Sequence, residues 1–314
     1  MTEIVDSCQA IQELIQRIRD HINRREKQVQ LIDTLPKWNR LTSALDVLSD
    51  STSAIGYYAK TDSPYELGAK YLRIYGFLQC IMLQQDAAES ISVTLSGANV
   101  DWLRTYPEAY KVREIRHDVA GHPTNRNGTE FIFLVQHSLH KWHIEYYKTN
   151  ADEAISPQIH SVNVAEAVLN TTRCVNKLLN ETIKQLDAEL KAHHDKFKAA
   201  KMADIFSTLG YAREKVLLHD PVFMDTSYQS TKGMVKACKD ELVAQYGAIS
   251  LYDSYDYLIK EMEALYCLID DGLDTLQDET RQSVLDNLRE LLFVKLEKLQ
   301  SLCEETDEEF SADT

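Results

Sequence analysis

The sequence predicts a mainly α-helical protein interrupted by one β-hairpin. Three observations lead there. Turn-formers are scarce, with 10 Gly and 6 Pro in 314 residues, which favours long helices and short connections. Apolar residues recur at spacings of three and four along most of the chain, the mark of one buried helix face. Only one region, 129–147, breaks into β-branched and aromatic runs.

Taken in order, Ile11, Leu14, Ile15, Ile18 and Ile22 lie on one face of a first helix, expected over about 4–32. Pro36 interrupts it. A second helix is expected over 39–60, with Leu41, Leu45 and Leu48 inward. Asp62-Ser63-Pro64 reads as a helix start. From there Leu67, Tyr71, Ile74, Leu78, Ile81 and Met82 keep helical spacing, with Met82 as a core filler. Ser96-Gly97-Ala98-Asn99 reads as a stop. A short helix follows Pro107 and runs to Ala120, ended by Gly121 and blocked by Pro123.

The pattern then changes. Asn125 to Gly128 is turn-rich, and Thr129 to Val135 and Lys141 to Tyr147 read as two strands. The hairpin therefore lies near 129–148. After Pro157 the chain is helical again. Val164, Val168, Val175, Leu179, Leu186 and Leu190 mark one helix that reaches the charged stretch 191–198. Further helices are expected over 202–218, 229–246, 253–273 and 279–303, the last carrying Leu285, Leu288, Leu292, Leu296 and Leu299. The organisation expected is a helical domain with the hairpin over 1–150, a helical C-terminal half over 151–303, and an acidic disordered tail over 304–314. The boundary falls in the 149–160 linker.

Composition narrows the partners. The formal net charge is -15, which repels nucleic acid at long range. Any RNA contact must rest on a local site. The six cysteines are far apart and form no CxxC pair. The N-terminal stretch lacks a basic-then-apolar signal, and no run approaches the roughly 18 apolar residues of a membrane span. A cytoplasmic protein with reduced thiols and no membrane partner is expected. In that setting the N-x-T sequences at Asn127, Asn170 and Asn180 carry no meaning.

One stretch looks like chemistry: Arg116 to Pro123, RHDVAGHP. Between Arg104 and Arg126 there are five Lys/Arg against three acids, Glu108, Glu114 and Asp118, a local +2 in an acidic chain. Such a focus suits one phosphate better than a long duplex. Arg offers a planar fork of donors that stays charged, and His exchanges a proton near neutral pH. Together they could cleave RNA, His122 as acid/base and Arg116 holding the phosphoryl centre. The structural alternative is also open. Cations complement a helix C-terminus, Arg116 could pair with Asp118 or a neighbouring helix, and His122-Pro123 could be a turn.

Arg116-His117-x4-His122 resembles the Arg-x4–6-His motif of the HEPN superfamily. QQDAAES at 84–90, the Gly-His-Pro ending and the aromatic hairpin resemble uncharacterised HEPN-like proteins. The likeness covers roughly residues 60–148. It implies a helical bundle and a metal-independent endoribonuclease, such as a toxin or defence component, with no cofactor. Two protomers would face their motifs into one cleft. The resemblance implies Arg116 on phosphate, His122 as acid/base and His117 as the polar second position. Arg113, Asn125 and Arg126 are candidates for binding substrate. The partners expected are RNA at a narrow site, a second copy of the chain and a regulatory protein. The competing expectation is a non-catalytic helical scaffold with a degenerate HEPN core, supported by the heptad-like spacing at 164–190 and 285–299.

Other constellations are weaker. His117-Asp118 lacks the upstream His of metal phosphohydrolases, since the only earlier His is His21. His137, His140 and His143 would share a face on a helix, but alternate on a strand, so no metal site is assigned. His193-His194 reads as solvated surface. Tyr252, Tyr255 and Tyr257 read as the rim of a core. There is no Walker loop, GxGxxG, GxSxG or HExxH.

Overall fold

The computed structural model describes residues 2–24, 27, 28, 31, 35–97, 99–121, 123–152, 154–199, 201–247, 254–273 and 277–311. It is mainly helical, with one three-stranded sheet among the described residues. The chain divides into two compact units, residues 1–23 with 35–187 and residues 24–34 with 188–314.

In the first unit, α1 (Thr2–Ile22) buries the whole expected face, with Ile4 and Cys8 added. Helix α2 (Leu35–Lys60) begins at Leu35-Pro36. Pro36 thus opens a helix, where its missing N–H costs no bond. Leu41, Leu45 and Leu48 are fully buried. Helix α3 (Leu67–Ser96) stops at Gly97, whose φ of 72° lets its N–H reach the Val93 carbonyl.

The start of α3 differs from expectation, because Asp62-Ser63-Pro64 lies in the connection. Arg73 of α3 explains this. Its guanidinium donates to the carbonyls of Tyr58 and Thr61, both at 2.9 Å, and to that of Asp62. The end of α2 is therefore capped by a cation, and 61–66 is drawn out as the link. Leu67 stays exposed.

Two short helices follow, α4 (Trp102–Thr105) and α5 (Pro107–Arg116), and α5 passes into a π-helical turn, His117–Gly121. The strands are β1 (Glu130–Leu134), β2 (His143–Asn150) and β3 (Gln158–Asn163), antiparallel in the order β1-β2-β3. The expected hairpin forms, but β3 enlarges it to a meander and occupies the expected linker. One sheet face packs Ile132, Ile144 and Tyr146 into the core. The other aligns exposed Phe133, Tyr147 and Ile159 across the strands. Helix α6 (Val164–Phe197) follows, and the division at 187/188 falls inside it. The boundary therefore lies well beyond the 149–160 stretch.

In the second unit, a 3-10 turn (Met202–Phe206) precedes α7 (Leu209–Leu217), α8 (Met224–Tyr246), α9 (Ser254–Asp270) and α10 (Asp278–Ser311). Leu292, Phe293, Leu296 and Leu299 of α10 join Tyr255, Leu258 and Met262 of α9 in one core. Buried Cys238 and Cys303 bring their sulfurs to 3.6 Å without a disulfide. Tyr255 is fully buried and donates to the Leu302 carbonyl at 2.6 Å, so it is core and not rim; Tyr257 is exposed. Tyr252 lies outside the described residues.

The acidic tail is a correction. Residues 304–311 continue α10, and 312–314 lie outside the described residues. Thr306 and Asp307 are buried, and the Asp307 carboxylate accepts the Met202 and Ala203 N–H groups at 3.0 and 2.9 Å. It satisfies orphan donors at the start of the 3-10 turn. Asp307→Ala is expected to lower the second unit's stability by about 1 kcal/mol, read as an earlier urea midpoint; an unmoved midpoint would contradict this cap. No helix of the described residues is long and apolar enough to cross a membrane.

Candidate functional site

Polar residues on α3 fix the motif helix. Gln85 is fully buried between α3, α5 and α6. Its amide donates to the Ala109 carbonyl at 2.9 Å and to Thr171 Oγ1 at 3.3 Å, while its oxygen accepts Arg113 Nε at 2.8 Å. Asp86 pairs with the same guanidinium. Glu89 accepts Trp102 Nε1 at 2.8 Å, and Gln84 donates to Thr52 Oγ1 at 2.9 Å. The QQDAAES stretch is thus the anchor that sets where α5 sits. A buried amide with both ends satisfied locks an orientation that apolar contacts leave free.

The π-turn then redirects the chain. The His117 N–H bonds the carbonyls of both Arg113 and Glu114, and the wider turn swings Asp118 and Val119 inward, both buried. Asp118 Oδ1 accepts Arg126 Nε at 3.0 Å, Asp118 Oδ2 accepts the Tyr146 hydroxyl at 3.2 Å, and Lys148 Nζ lies 3.9 Å away. Arg126 also reaches Glu114 at 2.5 Å, and Lys148 reaches Glu130 at 3.0 Å. Burial opposes the Arg126 charge, but the Asp118 hydrogen bond and the two carboxylates outweigh it and raise its pKa. Burial, then the Asp118 charge and hydrogen bond, push the Tyr146 hydroxyl well above the ordinary tyrosine range.

This network ties the motif to the sheet. The Pro123 carbonyl accepts the Ile132 N–H at 2.8 Å, and Arg126 and Glu130 exchange both backbone bonds at 2.8 and 2.9 Å. The free edge of β1 is covered by the turn that follows the motif. His160 stacks on Tyr146 at 4.9 Å, and its buried Nε2 has no partner among the described residues. His160→Phe keeps the stack and removes an unsatisfied nitrogen. The variant is expected to unfold at equal or higher denaturant, by up to about 1 kcal/mol; a clear loss would show that the nitrogen matters.

The candidate site residues fare differently. Arg113 is committed to Asp86 and Gln85, with its guanidinium 5.7 Å from the Trp102 ring centroid. Arg126 is committed to Glu114 and Asp118. Lys111 pairs with Glu108 at 2.8 Å. The expected basic focus shrinks, because α3 brings Asp86 to it. Asn125 is exposed on the turn. His117 opens the π-turn, partly buried. His122 lies outside the described residues.

Arg116 is the exception. It is partly buried, and its Nε donates to Gln79 Oε1 at 3.0 Å. No carboxylate of the described residues lies within ion-pair distance of it. The Arg116–Asp118 pair that the structural alternative required does not form, because Asp118 turns to Arg126. Gly121 was expected to end the helix, and the π-turn ends on it. Its φ is not in the left-handed region, and its missing Cβ matters instead: a Cβ there would lie 3.0 Å from Arg116 Nη1.

The three histidines after β1 do not gather. His137 lies in a 3-10 turn (Gln136–Ser138), and His140 bridges backbone to backbone with His143. The His143 ring meets Glu145 at 3.3 Å. His193 contacts the Gln245 carbonyl at 3.0 Å and the rings of Phe197 and Tyr246, so it is not mere solvated surface.

The sequence singled out QQDAAES at 84–90 only as a resemblance, with no role for Gln84, Gln85, Asp86 or Glu89, and it did not point to Gln79. A signal was there: Gln79, Gln84, Gln85, Asp86 and Glu89 crowd the middle of the helix, at spacings that put several inward. No family model, curated protein or solved structure matches the chain.

Proposed function

We propose that the chain is a metal-independent RNA-cleaving enzyme of HEPN type. Arg116 holds the scissile phosphate, His122 moves the proton and His117 is the polar neighbour. The observation that carries this is the partner of Arg116. Three neighbouring cations, Lys111, Arg113 and Arg126, each have a carboxylate partner, and Arg116 has an amide. An arginine half sunk in protein with no counter-ion among the described residues is costly to keep, and an anionic ligand balances it. Lys111, Arg113 and Arg126 neutralise protein carboxylates, so Arg113 and Arg126 leave the substrate-binding set and become scaffold.

The chemistry follows from the residue types. His122 takes the 2′-hydroxyl proton as that oxygen attacks phosphorus, or delivers a proton to the departing 5′-oxygen. Arg116 offsets the charge that builds on the phosphoryl oxygens. The products are a 2′,3′-cyclic phosphate and a 5′-hydroxyl. With a net charge of -15, recognition is confined to this narrow site, which suits a selective nuclease. Leu72, Tyr75 and Leu83 are exposed on the same α3 face as Gln79, an apolar stripe on which a second copy would bring two such sites together.

The test is cleavage of mixed RNA in excess EDTA by wild type, Arg116→Ala and His122→Ala. Cleavage by wild type alone, leaving 2′,3′-cyclic ends, is expected. Equal cleavage by all three would overturn the residue roles and favour a non-catalytic scaffold.

A further inference from the structure

We propose that Gln79 is a positioning residue that orients Arg116 while leaving its charge uncancelled, and that Gly121 completes the slot. The inference rests on the RNA-cleaving reading above and assigns it Gln79, which lies outside the Arg–His motif, and Gly121, one of the motif's spacer residues.

Gln79 contrasts with the neighbouring carboxylates. A carboxylate opposite an arginine fixes its plane and cancels its charge together, as Asp86 does for Arg113 and Asp118 with Glu114 do for Arg126. An amide oxygen does only the first. Gln79 Oε1 takes Arg116 Nε at 3.0 Å. That bond holds the guanidinium plane, and the cation remains whole for a phosphate, which prefers a planar fork. On the other side, Gly121 gives room. An added Cβ would stand 3.0 Å from Nη1, closer than ordinary van der Waals contact, although the backbone there suits any residue. Gln79 is about one and a half helical turns before the Gln84–Gln85 anchor, so the rigid part of α3 sets the Arg116 plane. Gln79 acts through Arg116 and needs no contact with substrate.

The isosteric change Gln79→Glu separates charge from shape. It keeps the acceptor for Nε and adds a negative charge. The protein should fold as well as wild type, or unfold later, because a new ion pair forms. Its phosphate affinity should fall. The probe is a mixed-sequence 2′-O-methyl RNA, which binds but lacks the attacking hydroxyl. We expect Gln79→Glu to weaken binding about tenfold and to flatten the salt dependence by the roughly 0.7 logarithmic slope of one single-strand phosphate contact. Arg116→Ala should do the same, and the double variant should be no worse than Arg116→Ala. Gly121→Ala, which displaces the guanidinium, should lower kcat/KM on cleavable RNA about tenfold or more with an unchanged unfolding midpoint. If Arg116→Ala loses binding but Gln79→Glu binds as wild type with the same salt slope, the inference falls and the RNA reading stands. If wild type and Arg116→Ala bind alike, at any strength, the RNA reading falls first.

Discussion

Asp118→Ala is expected to lower the unfolding free energy of the first unit by about 3 kcal/mol. Asp118 is 6 % exposed and serves Arg126, Tyr146 and, at longer range, Lys148. Removing it leaves a guanidinium with one carboxylate where it had two. It also leaves the buried Tyr146 hydroxyl without its acceptor. Losing one partner of a buried pair typically costs about 3–5 kcal/mol. The lower end applies here because Glu114 still holds Arg126 and Glu130 still holds Lys148. Asp118→Asn keeps one acceptor and should cost about half as much. Urea unfolding followed by tyrosine and tryptophan fluorescence measures both. A loss below about 1 kcal/mol for the alanine variant would show that the network does not hold the motif turn to the sheet.

Arg116→Ala is expected to reduce RNA cleavage by about 10²–10³-fold, the effect of removing one preorganised charge-stabilising donor. Its stability should stay within about 0.5 kcal/mol of wild type, because among the described residues it gives up a single bond to Gln79 and a half-buried charge with no counter-ion. Arg116→Lys should recover little. A lysine ammonium is a point charge without the fork and cannot use the Gln79 oxygen in the same geometry. Kinetics on single-stranded RNA with the unfolding midpoint measured in parallel gives both numbers. Full activity in Arg116→Lys would show that charge alone suffices.

The helical faces were readable in the sequence because a helix repeats its buried positions. Ile11, Ile18, Leu41, Leu45, Leu292 and Leu296 are fully buried where periodicity placed them inward. The strands β1 and β2 were readable from aromatic runs. Strand β3 was not, because Gln158–Asn163 is short and its apolar Ile159 faces outward. The tail was misread from charge alone: composition sees five acids in 304–309, but only the fold shows that one of them, Asp307, meets two unpaired N–H groups.

The site divides in the same way. The Arg–His motif and its local charge were visible as residue types at a spacing. Which arginine remains uncompensated was not visible, because the deciding partners are distant in sequence. Asp86 is 27 positions before Arg113, and Gln79 is 37 before Arg116. The π-turn also decides the matter: by turning Asp118 inward it gives that carboxylate to Arg126 and withholds it from Arg116. No local rule predicts this exchange.

The central claim is that one arginine of the motif region serves a ligand while two serve the fold. Arg113→Ala, Arg116→Ala and Arg126→Ala, assayed side by side for thermal unfolding and RNA cleavage, test it most directly. A lowered midpoint is expected for Arg113→Ala and Arg126→Ala, and lost cleavage at an unchanged midpoint for Arg116→Ala. A destabilised Arg116→Ala that still cleaves RNA would contradict it.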